Sequence, residues 1–220
     1  FAGAHWEKSA HLFYPTLMFK LNGVDAEKAK HAVEDIPRLM REAEASRAYR
    51  FARMGAIVRP MKNPSEWRAN VTQIRNRQGL AMDGTDAAQL SAGEIEGRRK
   101  IRDYIRFLRE RVPGFEASTV SDIAPQVGIR ETRRVTGEYL LSGEDVLECR
   151  DFADSIGVNG WPLEQHVAGD VHWSWPAIPE SRGFNQLPYR MILPLNIDNL
   201  LVAGRCASMT QEGQSAARVS

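Results

Sequence analysis

Residues 200–220 read LLVAGRCASMTQEGQSAARVS. Leu200 to Ala203 predict a buried strand, Gly204 breaks it, and Gln211 onward predicts the start of a helix. That order suits a bound phosphate or cofactor. Glycine lets a ligand approach the backbone, and the first helical N–H groups offer donors at the positive end of the helix dipole. The same order also makes an ordinary α/β junction. The segment alone does not decide between the two, so the argument has to move outward from it.

Immediately upstream lies LPYRMILPLNIDNLLVAGRC, residues 187–206, which places the final strand at Asn199 to Ala203. Further back, GIRETRRV at 128–135 puts three arginines and a glutamate within five residues. On a strand, Arg130, Thr132 and Arg134 would share one face and Glu131, Arg133 and Val135 the other. Such charge is costly to bury unless paired or bound to an anion. One Arg–Glu pair is the purely structural account. The surplus cations would suit a carboxylate, a phosphate or the anionic edge of a flavin, because guanidinium binds oxyanions bidentately.

The remaining pattern is mixed. HLFYPTLMFKL at 11–21 predicts a strand, followed by a helix capped by Asp25, broken or kinked at Pro37 and continuing toward Ala52. GAIVRP and WRANVTQIRN predict short strands around a Lys62-Asn63-Pro64 turn. A long helix is expected from Ser91 to Arg111, with Ser91 and Glu94 at capping-box spacing. Its apolar stripe is Ile101, Tyr104, Ile105, Leu108 and Val112, and Arg98, Arg102, Arg106 and Arg109 form a second stripe that reads as a solvated face. STVSDIAPQVGI and RETRRVTGEYLL predict strands, with a turn or helix start at Ser142 to Asp145. Residues 151–190 read as a Trp-, Gly- and Pro-rich loop. Together these predict an α+β fold with mixed or antiparallel sheet and an α/β feature only at the end.

With 220 residues and a formal net charge of +1, composition gives no reason to expect nucleic acid or an anionic membrane as partner. No apolar run is long enough to span a bilayer, and no signal peptide is visible. Cys149 and Cys206 stand in unrelated contexts, so neither a disulfide framework nor a zinc site is indicated and a cytoplasmic setting is the default. His166 and His172, near Glu164 and Asp170, are too loosely spaced for a metal, and no metal site is expected. His166 alone is a candidate active-site histidine. No Gly-x-Ser-x-Gly, His-Glu-x-x-His or phosphate-binding loop motif occurs.

Three stretches carry a resemblance. PYRMILPLNIDNLLVAGRCASMTQEGQSAARV is similar to the C-terminal FAD-binding segment of the FAD-dependent oxidoreductase family, flavoproteins with a glutathione-reductase-type Rossmann domain. GIRETRRVTGEYLLSGEDV resembles that family's substrate-domain strand motif, and YPTLMFKLNGVD the strand entering the same domain. The resemblance implies FAD as cofactor, with hydride exchange between flavin N5 and a small anionic or carbonyl-bearing substrate. It implies a substrate-binding or cap domain at 1–187 and a return segment of the FAD domain at 188–220. Ala203, Gly204, Arg205 and Cys206 would lie beside the FAD pyrophosphate and ribityl chain. Thr210, Gln211, Glu212 and Gly213 would lie near the flavin ring. Arg130, Glu131, Arg133 and Arg134 would sit over the flavin face, and Tyr189, Arg190 and His166 would belong to the reaction site. Gln211 stands where the family often has histidine, and glutamine does not titrate. The family's GxGxxG fingerprint is absent and the first residue is Phe1, so the sequence reads as a piece of a longer protein, inactive by itself. Self-association stays open. So do a non-enzymatic binding module and a purely structural α+β domain, which the same arginines would serve as an ion-pair network.

Overall fold

The computed structural model describes residues 2–55, 57–177 and 183–219. In chain order the elements begin with β1 (Trp6–Lys8), β2 (Phe19–Asn22), α1 (Ala26–Ala32), α2 (Ile36–Ala45), β3 (Ile57–Pro60), β4 (Trp67–Asn70), α3 (Ala87–Arg111) and β5 (Thr119–Ile123). They continue with β6 (Arg133–Val135), α4 (Gly143–Leu147), β7 (Ser155–Asn159), β8 (Leu163–Gln165), β9 (His172–Ser174), β10 (Asn185–Pro188) and α5 (Gln211–Ala217). The fold is α+β, and the strand pairs are antiparallel. The chain separates into two compact units: one holds residues 1–13, 130–167 and 171–220, the other 14–129 and 168–170. The division expected at 187/188 does not coincide with this separation.

The middle unit is a four-stranded sheet in the order β3-β4-β2-β5, with α1, α2 and α3. Its core is apolar and aromatic, built on Leu17, Phe19, Trp67, Ile74, Phe107 and Phe115. Strand β2 is shorter than the run 11–21 predicts. Pro15 has no N–H for a ladder, and Thr16 makes only an isolated bridge to Gly128. Asp86, not Ser91, caps α3: its carboxylate accepts from Ala88 N and Gln89 N at 2.9 and 3.1 Å. Ser91 lies one turn inside and donates to the Ala87 carbonyl instead. Gly97 in α3 costs helix propensity, but a Cβ there would strike Leu17, so the glycine permits close packing. The arginine stripe on α3 is exposed, with Arg98 paired to Glu94.

The second unit is assembled from short pairs: β1 with β6, β7 with β10, and β8 with β9. Residues 151–190 are thus not one loop but carry most of these strands. Its apolar clusters are small, Leu141, Met191, Ala207 and Met209 in one and Val146, Leu163 and Ala216 in the other. Many of its buried residues are polar, among them Glu131, Arg134, Asn159, Glu164, His166 and Gln214.

Two strand expectations are corrected here. The predicted strand at 130–141 narrows to Arg133–Val135, so the alternation expected through 130–135 does not hold. Glu131 and Arg134, assigned opposite faces, meet in an ion pair because Glu131 precedes the pleated segment. The predicted buried strand at Asn199–Ala203 does not form. A strand exists through its ladder, and among the described residues this stretch makes one backbone bond, Val202 N to Ile192 O at 2.9 Å. Left-handed residues at Asn199 (φ 59°) and Gly204 (φ 68°) bracket it, and Leu201 is 57% exposed.

Candidate functional site

The polar residues of the second unit converge on the start of α5. Thr210 caps the helix, its Oγ1 accepting from Gly213 N at 3.1 Å. Thr210 N in turn donates to the Leu141 carbonyl at 2.9 Å, and Leu141 N donates to the Ser208 carbonyl at 3.2 Å. The helix start is therefore fixed against the strand-like stretch leading to α4. Gly213 faces the same carbonyl so closely that a Cβ would collide with Leu141 O. Glycine is the residue that fits.

Glu131 is the centre of the arrangement. Its carboxylate, 1% exposed by residue, accepts from Ser9 Oγ at 2.5 Å, Phe13 N at 3.1 Å, Gln211 Nε2 at 2.7 Å and Arg134 Nη1. Arg134 is buried as well, and its Nη2 reaches Ser9 Oγ at 3.0 Å and Glu7 Oε1 at 3.3 Å. Four donors on one carboxylate satisfy its acceptor capacity, which burial of an ion pair requires. Gln211 also donates to the His11 carbonyl at 2.6 Å, and Gln214 Nε2 to the Arg130 carbonyl at 2.6 Å. Residues 130–134 and 211–214, about eighty positions apart in sequence, form one network.

The C-terminal end of α5 carries a second buried charge group. Glu164 accepts from Trp161 Nε1 at 3.0 Å and lies 3.0 Å from His166 Nε2. Arg218 Nη2 donates to the Glu164 carbonyl at 3.0 Å. Burial works to raise the Glu164 carboxyl, but His166, Trp161 and Arg218 outweigh it and hold the group below the usual carboxylate range. Burial pushes His166 down to about 3, with Arg130 and Arg218 adding repulsion against the opposing pull of Glu164. Burial likewise lowers the Arg218 guanidinium to about 10. At neutral pH, His166 is an uncharged ring that donates Nε2–H to Glu164.

The other candidates are dispersed. Arg133 is exposed and stacks 4.7 Å over the Trp6 ring. Arg190 forks onto Asp154, with Nε to Oδ2 at 3.0 Å, and lies 5.1 Å from the Tyr139 ring centre. Tyr189 is exposed. Ala203, Gly204, Arg205 and Cys206 form an exposed turn, and around Gly204 an added Cβ would meet nothing within 4 Å. Glu212 is exposed at the start of α5, where the N–H groups of Gln211 and Glu212 meet no acceptor among the described residues. An open left-handed turn and unused helical N–H groups fit a phosphate-bearing, partly anionic cofactor. Sequence reasoning missed Ser9, Gln214 and Arg218. Gln214 stands one turn beyond Gln211 and is legible as a same-face partner, whereas Ser9 carries no local signal.

A family model, FAD dependent oxidoreductase, matches residues 1–220 of the sequence. The chain belongs to the FAD-dependent oxidoreductase family, and FAD is its cofactor. Comparisons with curated proteins and with solved structures return no match. Among the described residues, no helix is long and apolar enough to cross a membrane and no acidic, histidine or cysteine group is arranged to hold a metal.

Proposed function

We infer that this chain is the substrate-side part of a glutathione-reductase-type flavoenzyme together with the segment returning to its FAD domain, working on a small anionic or carbonyl-bearing molecule in the cytoplasm. FAD, when bound, supplies a hydride acceptor or donor at N5. The observation that carries the reading is the bond from Gln211 to Glu131. It joins the segment that resembles the cofactor side to the segment that resembles the substrate side.

In this reading Ala203, Gly204, Arg205 and Cys206 hold the pyrophosphate and ribityl portion. Gln211 and Glu212 present backbone N–H groups and the helix dipole to the flavin's anionic edge, and Gly213, its N–H held by Thr210, lets the helix start close beside it. Glu131 and Arg134 act as positioning residues. Their charges are spent on each other, and they fix the side chain of Gln211. Arg130, Arg133, Tyr189 and Arg190 are the candidates for contact with substrate. His166, uncharged and buried, holds a hydrogen bond and is a poor carrier of a proton near neutral pH.

The test uses the protein expressed from its complete gene. It should carry FAD, and Gln211→Leu should lower FAD affinity or slow anaerobic flavin reduction by about tenfold, the effect of losing a hydrogen bond of about 1.4 kcal/mol. A purified protein that carries no flavin and binds none when FAD is added would overturn the assignment.

A further inference from the structure

The middle unit holds an arginine of a different kind. Arg75 is half-buried and follows strand β4 in a tight loop, where Asn76 N donates to the Leu80 carbonyl and Gly79 N to the Asn76 carbonyl. Its Nη2 donates to the Ala52 carbonyl at 2.5 Å and to Gln73 Oε1 at 3.0 Å. The guanidinium lies 5.6 Å from the centre of the Tyr14 ring. Tyr14 is itself held by its hydroxyl, which donates to the Gly79 carbonyl at 3.1 Å. Among the described residues no carboxylate pairs with Arg75. Among the described residues its enclosed Nε has no acceptor.

What holds Arg75 is itself strained. Gln73 is buried with φ of +26°, a conformation unfavourable for a residue with a Cβ. Gln73 Oε1 also accepts from Gly169 N at 2.9 Å, so the side chain that orients Arg75 is fixed from a second direction. The buried Tyr104 phenol feels Arg53, Glu44 and Arg75. The Glu44 carboxylate accepts from Phe51 N at 3.3 Å. A guanidinium held in one orientation, stacked on an aromatic ring and lacking a counter-charge is prepared for an incoming oxyanion.

We propose that Arg75, oriented by Gln73 and Tyr14, is the anchor for a carboxylate group. A single guanidinium suits a carboxylate, whereas a phosphate dianion calls for more converging donors. That the carboxylate belongs to the enzyme's substrate rests on the oxidoreductase reading; the anion site itself does not, and it is measurable without flavin.

The experiment titrates the nitrogen-15-labelled 220-residue chain with sodium acetate, sodium succinate and inorganic phosphate, following the Arg75 Nε–H resonance. A saturable shift with the carboxylates is expected, with dissociation constants on the order of millimolar for such small probes. Arg75→Gln should abolish it, and Arg75→Lys should weaken it by about tenfold, since ammonium lacks the planar fork. The exposed neighbour variant Arg77→Gln should bind as the parent does. Circular dichroism establishes that each variant is folded; if Arg75→Gln is not, Arg75→Lys carries the comparison. No saturable carboxylate shift, unchanged binding in the folded Arg75 variant, or preference for phosphate over carboxylate overturns the proposal. Flavin content is read separately, so a failure of the oxidoreductase reading and a failure of the carboxylate site give different results.

Discussion

Arg134 and Arg75 are both drawn out of solvent, yet their surroundings treat the charge in opposite ways. Arg134 meets Glu131 directly and reaches Glu7 as well. Among the described residues Arg75 meets carbonyl and amide oxygens and an aromatic face, but no carboxylate. The first arrangement neutralises and fixes. The second keeps a charge in place and leaves it unmet. The difference follows the two cores: one unit builds its interior largely from hydrogen-bonded polar groups, the other from aliphatic and aromatic side chains.

The sharpest way to break this comparison is Glu131→Gln. It keeps the shape but leaves Arg134 buried beside a neutral amide, and loss of a buried partner costs about 3–5 kcal/mol. Urea denaturation should show that loss, and a change below about 1 kcal/mol would mean the pair is not a structural centre.

The same unit should be acid-sensitive. His166 is lowered to about 3 from its ordinary 6.5, so between those values the unfolded chain takes up a proton that the folded one refuses. This contribution is intact above about pH 6.5 and is lost as pH falls toward 3, at about 1.4 kcal/mol per pH unit for one proton. His166→Asn should flatten that slope, and an unchanged slope of midpoint against pH would place the acid sensitivity elsewhere.

Gly213→Ala tests the seating of α5. Its Cβ meets the Leu141 carbonyl, so a destabilisation of about 1–3 kcal/mol is expected by thermal unfolding. Arg75→Gln should cost less, about 1 kcal/mol, because it gives up neutral hydrogen bonds and no ion pair. An Arg75 loss equal to that of Glu131→Gln would erase the distinction between the two arginines. Asp154→Asn should have the smallest effect, a shift in the unfolding midpoint smaller than that of Arg75→Gln, since the pair with Arg190 is partly solvated. That pair also holds the Asp154 carboxyl below its usual range.

Much of the secondary structure was legible locally. The polar–apolar pattern and Pro113-Gly114 locate α3 and its end, and Ser142 with Asp145 forms a capping box at α4. The start of α3 was misread because Asp86 competes with Ser91 as a cap and wins by its extended backbone. The strands at 155–188 were illegible, since pairs of three to five residues carry too few alternations to stand out. In the candidate site, GIRETRR announced buried charge but not its partners.

The sequence by itself determined the α+β composition, the long amphipathic helix, the glycine at the C-terminal turn and the presence of more arginine near 130 than a structural pair requires. Residue type and spacing settle such matters because they act over a few neighbouring positions. Tertiary structure decided that Gln211 meets Glu131, that Arg134 is neutralised and that Arg75 is not. Each of those depends on which distant backbone delivers a carboxylate, a carbonyl or nothing to a guanidinium, and that is set only when the chain closes on itself.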